Sequence, residues 1–377
     1  MSNLSRRQMV GGALTAAAVG APFISRPVRA FEKRAYPPRE YPKRVVDLVN
    51  ESLVLDMLHP LQINDGPLPM TPAMAADYKA SGINAIHHAY GVGGPNAREA
   101  VLTFLVRWGH HVQVNAHVFT GVDKFSDILR AKRDGKIAVI MGLQNSEHFY
   151  TPDDVKLFWD LGQRISQLTY NTQTRIGSGS TERVDGGVSD FGASIIEAMN
   201  KVGMLVDVSH CGPRTTLDAI EISKKPIAIT HSNCRALNDH PRLKTDEAIK
   251  ACAAKGGMMG IAGVRNFVSA KEPTVLGNMV DHIDHAVKLI GMDNVGIGSD
   301  LDLYGYDDAP EGYMKGLIAW LNKSYAFRDK VDVDGFDHAR RTYDLVEELL
   351  RRNYSKDNIK AILGGNFQRL LTASWGG

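Results

Sequence analysis

The chain has 377 residues, 44% of them hydrophobic and 23% charged, a balance ordinary for a globular protein with one large α/β domain or two smaller ones. The formal net charge is only +2, so nothing electrostatic favours a nucleic-acid partner. Three cysteines, Cys211, Cys234 and Cys252, follow no metal-type spacing and cannot all pair within the chain, which leaves small buried side chains as their expected role.

Residues 1–30 read as a targeting segment. Arg6 and Arg7 form a twin-arginine pair, Gly11 to Ile24 is a modestly apolar stretch, and Val28-Arg29-Ala30 has the small-residue character of a cleavage site. That stretch is too short and too rich in Gly and Ala to span a bilayer, so no stable membrane anchor is expected. The expectation is export to a bacterial periplasm, with a single domain over residues 31–377.

After a Pro-rich lead and an amphipathic helix near Arg44 to Ser52, the first strand is expected at Leu53 to Asp56. Strand-like runs follow at Ile83–His87, Ile137–Leu143, Ile165–Tyr170, Met204–Val208, Ile227–Thr230, Met258–Ile261 and Val295–Gly298. Helical patterns separate them. Ser194 to Val202 carries Ile195, Ile196, Met199 and Val202 on one face, and Gly203 closes it. Eight β-α repeats predict a (β/α)₈ barrel of TIM type. A doubly wound sheet is the alternative, weakened because no Gly-rich phosphate fingerprint follows a strand.

Two histidines organise the second half. Met204-Leu205-Val206-Asp207-Val208-Ser209 leads to His210, and Pro226-Ile227-Ala228-Ile229-Thr230 leads to His231. Each ends a mostly apolar run of the kind buried on both sheet faces, so both fall at the carboxyl ends of parallel strands, where such folds place their ligands. A lone histidine there is usually a satisfied polar residue; two on adjacent strands point to a metal, since imidazole is its commonest ligand. Thr172 to Asp190, rich in Gly, Ser and Thr, is expected to be a long loop on the same edge. The stretch 304–333, with Tyr304, Tyr306, Tyr313, Trp320 and Tyr325, is either a lid or a helical insertion.

From about Gly162 to Leu371 the motifs resemble those of the membrane (renal) dipeptidases, peptidase family M19. They are Leu168-Thr169-Tyr170-Asn171, Asp185-Gly186-Gly187, Asp207-Val208-Ser209-His210, His231-Ser232-Asn233, Asp239-His240-Pro241-Arg242, Gly298-Ser299-Asp300 and Gly364-Gly365-Asn366-Phe367. The resemblance implies an amidohydrolase-like barrel with a binuclear zinc site that hydrolyses dipeptides, and a homodimer. Carried over by motif, His210 and His231 are ligands of the second zinc. Arg242 binds the substrate carboxylate and Asp300 stands by the attacking water; Asn233 and Tyr170 are added to these as further candidates for substrate binding.

The front half departs from that pattern. The family's Asp-Gly-His-x-Asp is here Asp56-Met57-Leu58-His59-Pro60, so Leu58 and Pro60 take the ligand places and His59 is one residue out of register. Gln144 stands where the family has a bridging glutamate, with Glu147 three residues on, and Tyr170 replaces a histidine. Without those carboxylates two zinc ions would carry uncompensated charge. The expectation is therefore one zinc at most, or none, on His210 and His231 with Asp300; Gln144, Glu147 and His59 are reserve ligands. Tyr170 is expected to donate to the developing oxyanion. The leading function is a periplasmic dipeptidase-like metallohydrolase. The alternatives are a tailoring enzyme for a peptide-derived metabolite, or a dipeptide-binding homologue without turnover.

Overall fold

The computed structural model describes residues 39–61, 68–309 and 327–375, with isolated positions between 310 and 326, Tyr325 among them. Residues 1–30, and with them the targeting expectation, lie outside the described residues, as do Tyr313 and Trp320.

Among the described residues nine strands form one sheet: β1 (Leu55–Asp56), β2 (Ala85–Tyr90), β3 (Phe119–Gly121), β4 (Ile137–Leu143), β5 (Gln163–Gln167), β6 (Leu205–Asp207), β7 (Ala228–Ser232), β8 (Met258–Ile261) and β9 (Val295–Ile297). Every pairing is parallel, in the order β1-β2-β4-β5-β6-β7-β8-β9. The sheet curls until Met57 N donates to Ile297 O (2.8 Å) and Asp300 N to Leu58 O (2.9 Å), which brings β9 beside β1. This is the expected eight-stranded parallel barrel. The extra strand β3 pairs with the first half of β4, where β5 has not yet joined it. Its three residues give no periodic signal, and the sequence reading passes over them.

The local rules that set the elements are visible in the helix Asp190–Val202. The Ser189 side chain accepts from Gly192 N, and Gly203 ends the helix at φ 93°, a conformation glycine adopts without cost. The helix Pro213–Ile222 starts with proline at its first turn, as Gly212-Pro213 leads one to expect.

Inside the barrel, Leu55, Met57, Ala85, Ala138, Ile140, Ile165, Leu205, Ala228 and Met258 pack into one apolar cluster with Phe367, Leu370 and Leu371 of the helix Asn366–Trp375. That helix lies against the approach to the strands: Gly203, before β6, sits on Ser374, and Lys225, before β7, donates to Ser374 O. The amino ends are thereby closed with hydrocarbon. Polar residues collect at the carboxyl ends, which stay free for chemistry. Among the described residues no helix is long and apolar enough to cross a membrane.

Candidate active site

His210 and His231 stand just beyond β6 and within β7, and their rings meet. Nε2 of one lies 3.0 Å from Nε2 of the other. What holds them is a set of second partners. The Asp207 carboxylate accepts from Ser209 N, Ser209 Oγ, Thr230 N and Thr230 Oγ1. Because the Thr230 hydroxyl donates to Asp207 (2.6 Å), it accepts from His231 Nδ1 (2.7 Å). His231 therefore carries its proton on Nδ1 and keeps a lone pair on Nε2. His210 Nδ1 lies 2.8 Å from Asn171 Oδ1, an acceptor, which gives this ring the same tautomer. Burial, with the cation Arg242 next, holds both imidazoles well below the ordinary histidine range, so they are neutral at neutral pH.

Arg242 has no exposed surface. Its two terminal nitrogens donate to the carbonyls of Ser209 and His231 and so clamp the carboxyl ends of the two strands together. Its Nε has no partner, and no ion pair to it occurs among the described residues. The acidic group that feels this buried cation is Asp300.

Asp300 follows β9 with φ 57°, a left-handed conformation that Asp and Asn tolerate better than most residues. Its half-buried carboxyl is pushed up to about 7 by desolvation, against the pull of Arg242 and with Asp56 adding to the rise. A carboxylate poised there can take or give a proton at neutral pH. Tyr170 stacks on His210, ring centroids 4.2 Å apart and 20° from parallel. It also lies over Gly91, where a Cβ would come within 2.8 Å of its ring.

The loop Thr172 to Asp190 does belong to this edge. Ser180 N donates to His210 O (2.7 Å), Gly212 N to Ser178 O (3.0 Å), and Gly179 pairs with Cys211. Asp185 caps the helix Pro213–Ile222, accepting from Arg214 N and Thr215 N.

Several residues singled out from sequence sit elsewhere or are already engaged. Asn233, expected to bind substrate, spends its amide on Ala262: Oδ1 accepts from Ala262 N (2.8 Å) and Nδ2 donates to Ala262 O (3.2 Å). It ties β7 to β8. His59, a reserve ligand, lies against Asp56, Arg341 and Tyr78, towards the helical layer. The register argument anticipated that turn. Glu147 holds the β2 loop through Gly94 N and Asn145 Nδ2. Gln144 Nε2 donates to Ala89 O (3.1 Å). Asp300 does not complete a three-ligand set with the histidines, since no group of three or more His, Cys, Asp or Glu converges among the described residues.

The donor set here is two imidazole nitrogens that could give two bonds to one divalent ion, with no third ligand converging among the described residues. Bonds of about 2.0–2.1 Å near the tetrahedral angle would set the nitrogens about 3.3 Å apart, close to the spacing found. Both outer nitrogens are hydrogen-bonded, as is usual for metal-binding histidines. For a second ion the family's own ligand places are empty of donors at Leu58 and Pro60, and the Gln144 amide nitrogen is turned to a carbonyl.

Three residues at the site received no role of their own from the sequence. Asn171 was visible only as part of a motif. Tyr325, 154 positions further on, brings its hydroxyl to within 3.0 Å of Asn171 Nδ2. His87 of β2 is buried with Nδ1 on Met57 O (2.6 Å) and an unpartnered Nε2. The Ile83–His87 run could have flagged His87 as an inward position by strand alternation; nothing local flags Tyr325.

The profile of the membrane dipeptidase family (peptidase family M19) matches residues 74–326. A dipeptidase of Clonostachys rogersoniana, verJ, is 30% identical over 249 residues, covering 65% of this chain and 58% of that protein. An uncharacterized dipeptidase of Schizosaccharomyces pombe is 31% identical over 258 residues, 66% of this chain and 56% of its own length. The chain thus spans a little over half the length of these curated relatives. The crystal structure of an amidohydrolase from Pseudomonas aeruginosa superposes with a TM-score of 0.77 at 29% identity, over 88% of this chain and 99% of that one. With the matched region taking in both histidines, Arg242 and Asp300, the chain belongs to the membrane dipeptidase family, peptidase M19.

Proposed function

We propose that this protein is a hydrolase of the peptidase M19 type that cleaves a small dipeptide or dipeptide-like amide. The observation that carries the reading is the convergence of two neutral imidazole Nε2 atoms 3.0 Å apart, on the strand edge that also carries Arg242 and the Asp300 carboxyl poised near neutrality. His210 and His231 would hold one divalent ion, which supplies Lewis-acid activation when bound. Asp300 accepts the proton of the attacking water and returns it to the leaving amine, a task suited to a group that titrates near working pH. Arg242 supplies the positive field for a substrate carboxylate, its terminal nitrogens remaining on Ser209 O and His231 O. The Tyr170 hydroxyl is the candidate donor to the developing oxyanion.

The test is release of free amino acid from a panel of L,L- and L,D-dipeptides, with zinc or manganese supplied. Turnover that is lost in His231→Ala and Asp300→Asn is the expected result; a chain that cleaves none of them sinks the reading. A second reading, a dipeptide-binding homologue without turnover, draws on the absent ligands at Leu58, Pro60 and Gln144. It predicts calorimetric binding of the same dipeptides with nothing released.

The site of action we propose is the periplasm, on the strength of Arg6-Arg7 and Val28-Arg29-Ala30. Fractionation of cells expressing the whole chain, with Arg6 and Arg7 changed together to Lys, decides it: the variant should stay in the cytoplasm. The homodimer implied by the family is checked by light scattering.

A further inference from the structure

Asp300 sits on a backbone that needs outside support. A non-glycine residue at φ 57° is mildly strained and persists only where its surroundings over-determine it. Here the supports lie on both sides. Ser299 N donates to Asp56 Oδ1 (2.7 Å), and Asp300 N donates to Leu58 O (2.9 Å). Beyond Asp300, the carbonyls of Leu301 and Asp302 accept from one side chain, Arg341, through its Nη2 (3.2 Å) and its Nη1. Arg341 Nη2 also donates to Ser299 Oγ (3.2 Å). A single guanidinium thus reaches the residue before Asp300 and the two after it.

Arg341 opens the helix Arg341–Arg351 and is 2% exposed. Its guanidinium lies over the Phe336 ring, 5.5 Å from the centroid, with the Asp56 carboxylate 3.7 Å from Nη2. His59 Nδ1 accepts from the same Nη2 at 3.1 Å, since a guanidinium can only donate. The histidine that is out of register for a metal is in register to hold this arginine.

We infer that Arg341 is a positioning residue for Asp300: it fixes the turn of residues 299–302 so that the Asp300 carboxyl stays where the attacking water is met. A guanidinium can do this because its nitrogens form a rigid fork, whereas the single nitrogen of an ammonium cannot stand at both carbonyls and the hydroxyl in the same way. The inference rests on the proposed role of Asp300 as the proton carrier, not on which substrate is cleaved.

The experiment uses full-length protein with zinc or manganese supplied. Arg341→Lys keeps a cation beside Asp56, and melting curves check that it folds; if it does not, Arg341→Gln takes its place. The expected result is a fall in kcat of roughly 10²-fold, the scale of a displaced reacting group, with KM unchanged because Arg242 and the histidines are untouched. In an Asp300→Asn background the same change should cost nothing more, because residues that act through one group are not additive. The crystal structure of the variant should show residue 300 out of the left-handed region or its carboxyl displaced. Unchanged kcat in the folded variant overturns the inference, as does a loss that appears in KM or one of equal size in both backgrounds. Wild-type protein that cleaves no dipeptide sinks the proposed activity instead. The variant's structure then decides the inference, and a turn of residues 299–302 left in place overturns it.

Discussion

At the scale of single residues, Asp300 and Arg242 make opposite demands on the fold. Asp300 is held up to about 7 by desolvation, so below that value it is protonated and cannot accept a proton. The rate limb on the acid side should therefore rise through about pH 7, and Asp300→Asn should erase that limb while lowering kcat roughly 10²–10⁴-fold. Asn suits the left-handed backbone at this position, so the melting temperature should hold. Pre-steady-state rates measured from pH 5 to 9 check both parts. Arg242 is different, since it is mechanical as well as electrostatic. Arg242→Met would leave the carbonyls of Ser209 and His231 buried without donors, at about 1–3 kcal/mol for each. Denaturant unfolding should show that loss, and KM should rise in any residual activity. A variant of wild-type stability would mean that the clamp between β6 and β7 carries no strain-free bond.

At the scale of elements, two segments decide how the site is assembled. The loop Thr172 to Asp190 approaches so closely that a Cβ on Gly179 would come within 2.1 Å of the Asn171 backbone. Gly179→Ala must then push the loop away from His210, and dipeptide turnover should fall although no catalytic group is altered. The stretch after β9 is anchored by two carboxylates that cap each other's backbone. Asp332 accepts from Tyr306 N (2.9 Å) and Asp307 N (2.8 Å), and Asp307 accepts from Val331 N (3.0 Å). Burial, with Asp307 beside it, pushes the Asp332 carboxyl up to about 8. In the unfolded chain it would ionise near ~4. Between those values the folded protein keeps a proton that the unfolded one has released. The stability this group contributes is thus fully present below pH ~4 and is lost as pH rises through about 8. Melting curves at pH 5, 7 and 9 should show a decline in the wild type that Asp332→Asn flattens. An equal decline in the variant would place the titration in another group.

For the whole molecule, charge balance limits what the barrel mouth can hold. Among the described residues no group of three or more His, Cys, Asp or Glu gathers at the two neutral histidines, and the places of the family's other ligands are filled by Leu58, Pro60 and Gln144. Elemental analysis of protein purified without added metal should give at most one divalent ion per chain, removed by chelator. Gln144→Glu alone should not restore a second, because the other ligands of that ion would still be absent. Two tightly held ions would mean that His59 or Glu147 moves from its present partners to become a ligand.

How much of this was legible follows from the range over which each signal acts. Strand-length apolar runs, Pro213 at a helix start, Gly203 at a helix end and the placing of His210 and His231 at strand ends are local patterns, and a local pattern can be read from order alone. The (β/α)₈ barrel, the shared edge of the two histidines and the outward turn of His59 came from that level. β3 did not, because three residues are too few to show a period. What only the folded chain decided are the pairings between distant segments. Asn233 looked like a substrate ligand until Ala262 was found on its amide. Arg242 looked like a free clamp, yet its terminal nitrogens are taken by Ser209 and His231. Tyr325 was one aromatic among five in the stretch 304–333, and nothing near it in the chain foretells Asn171. Hydrogen-bond partners are settled by which groups burial brings together after the hydrophobic core has formed, and no neighbour in the sequence records that outcome.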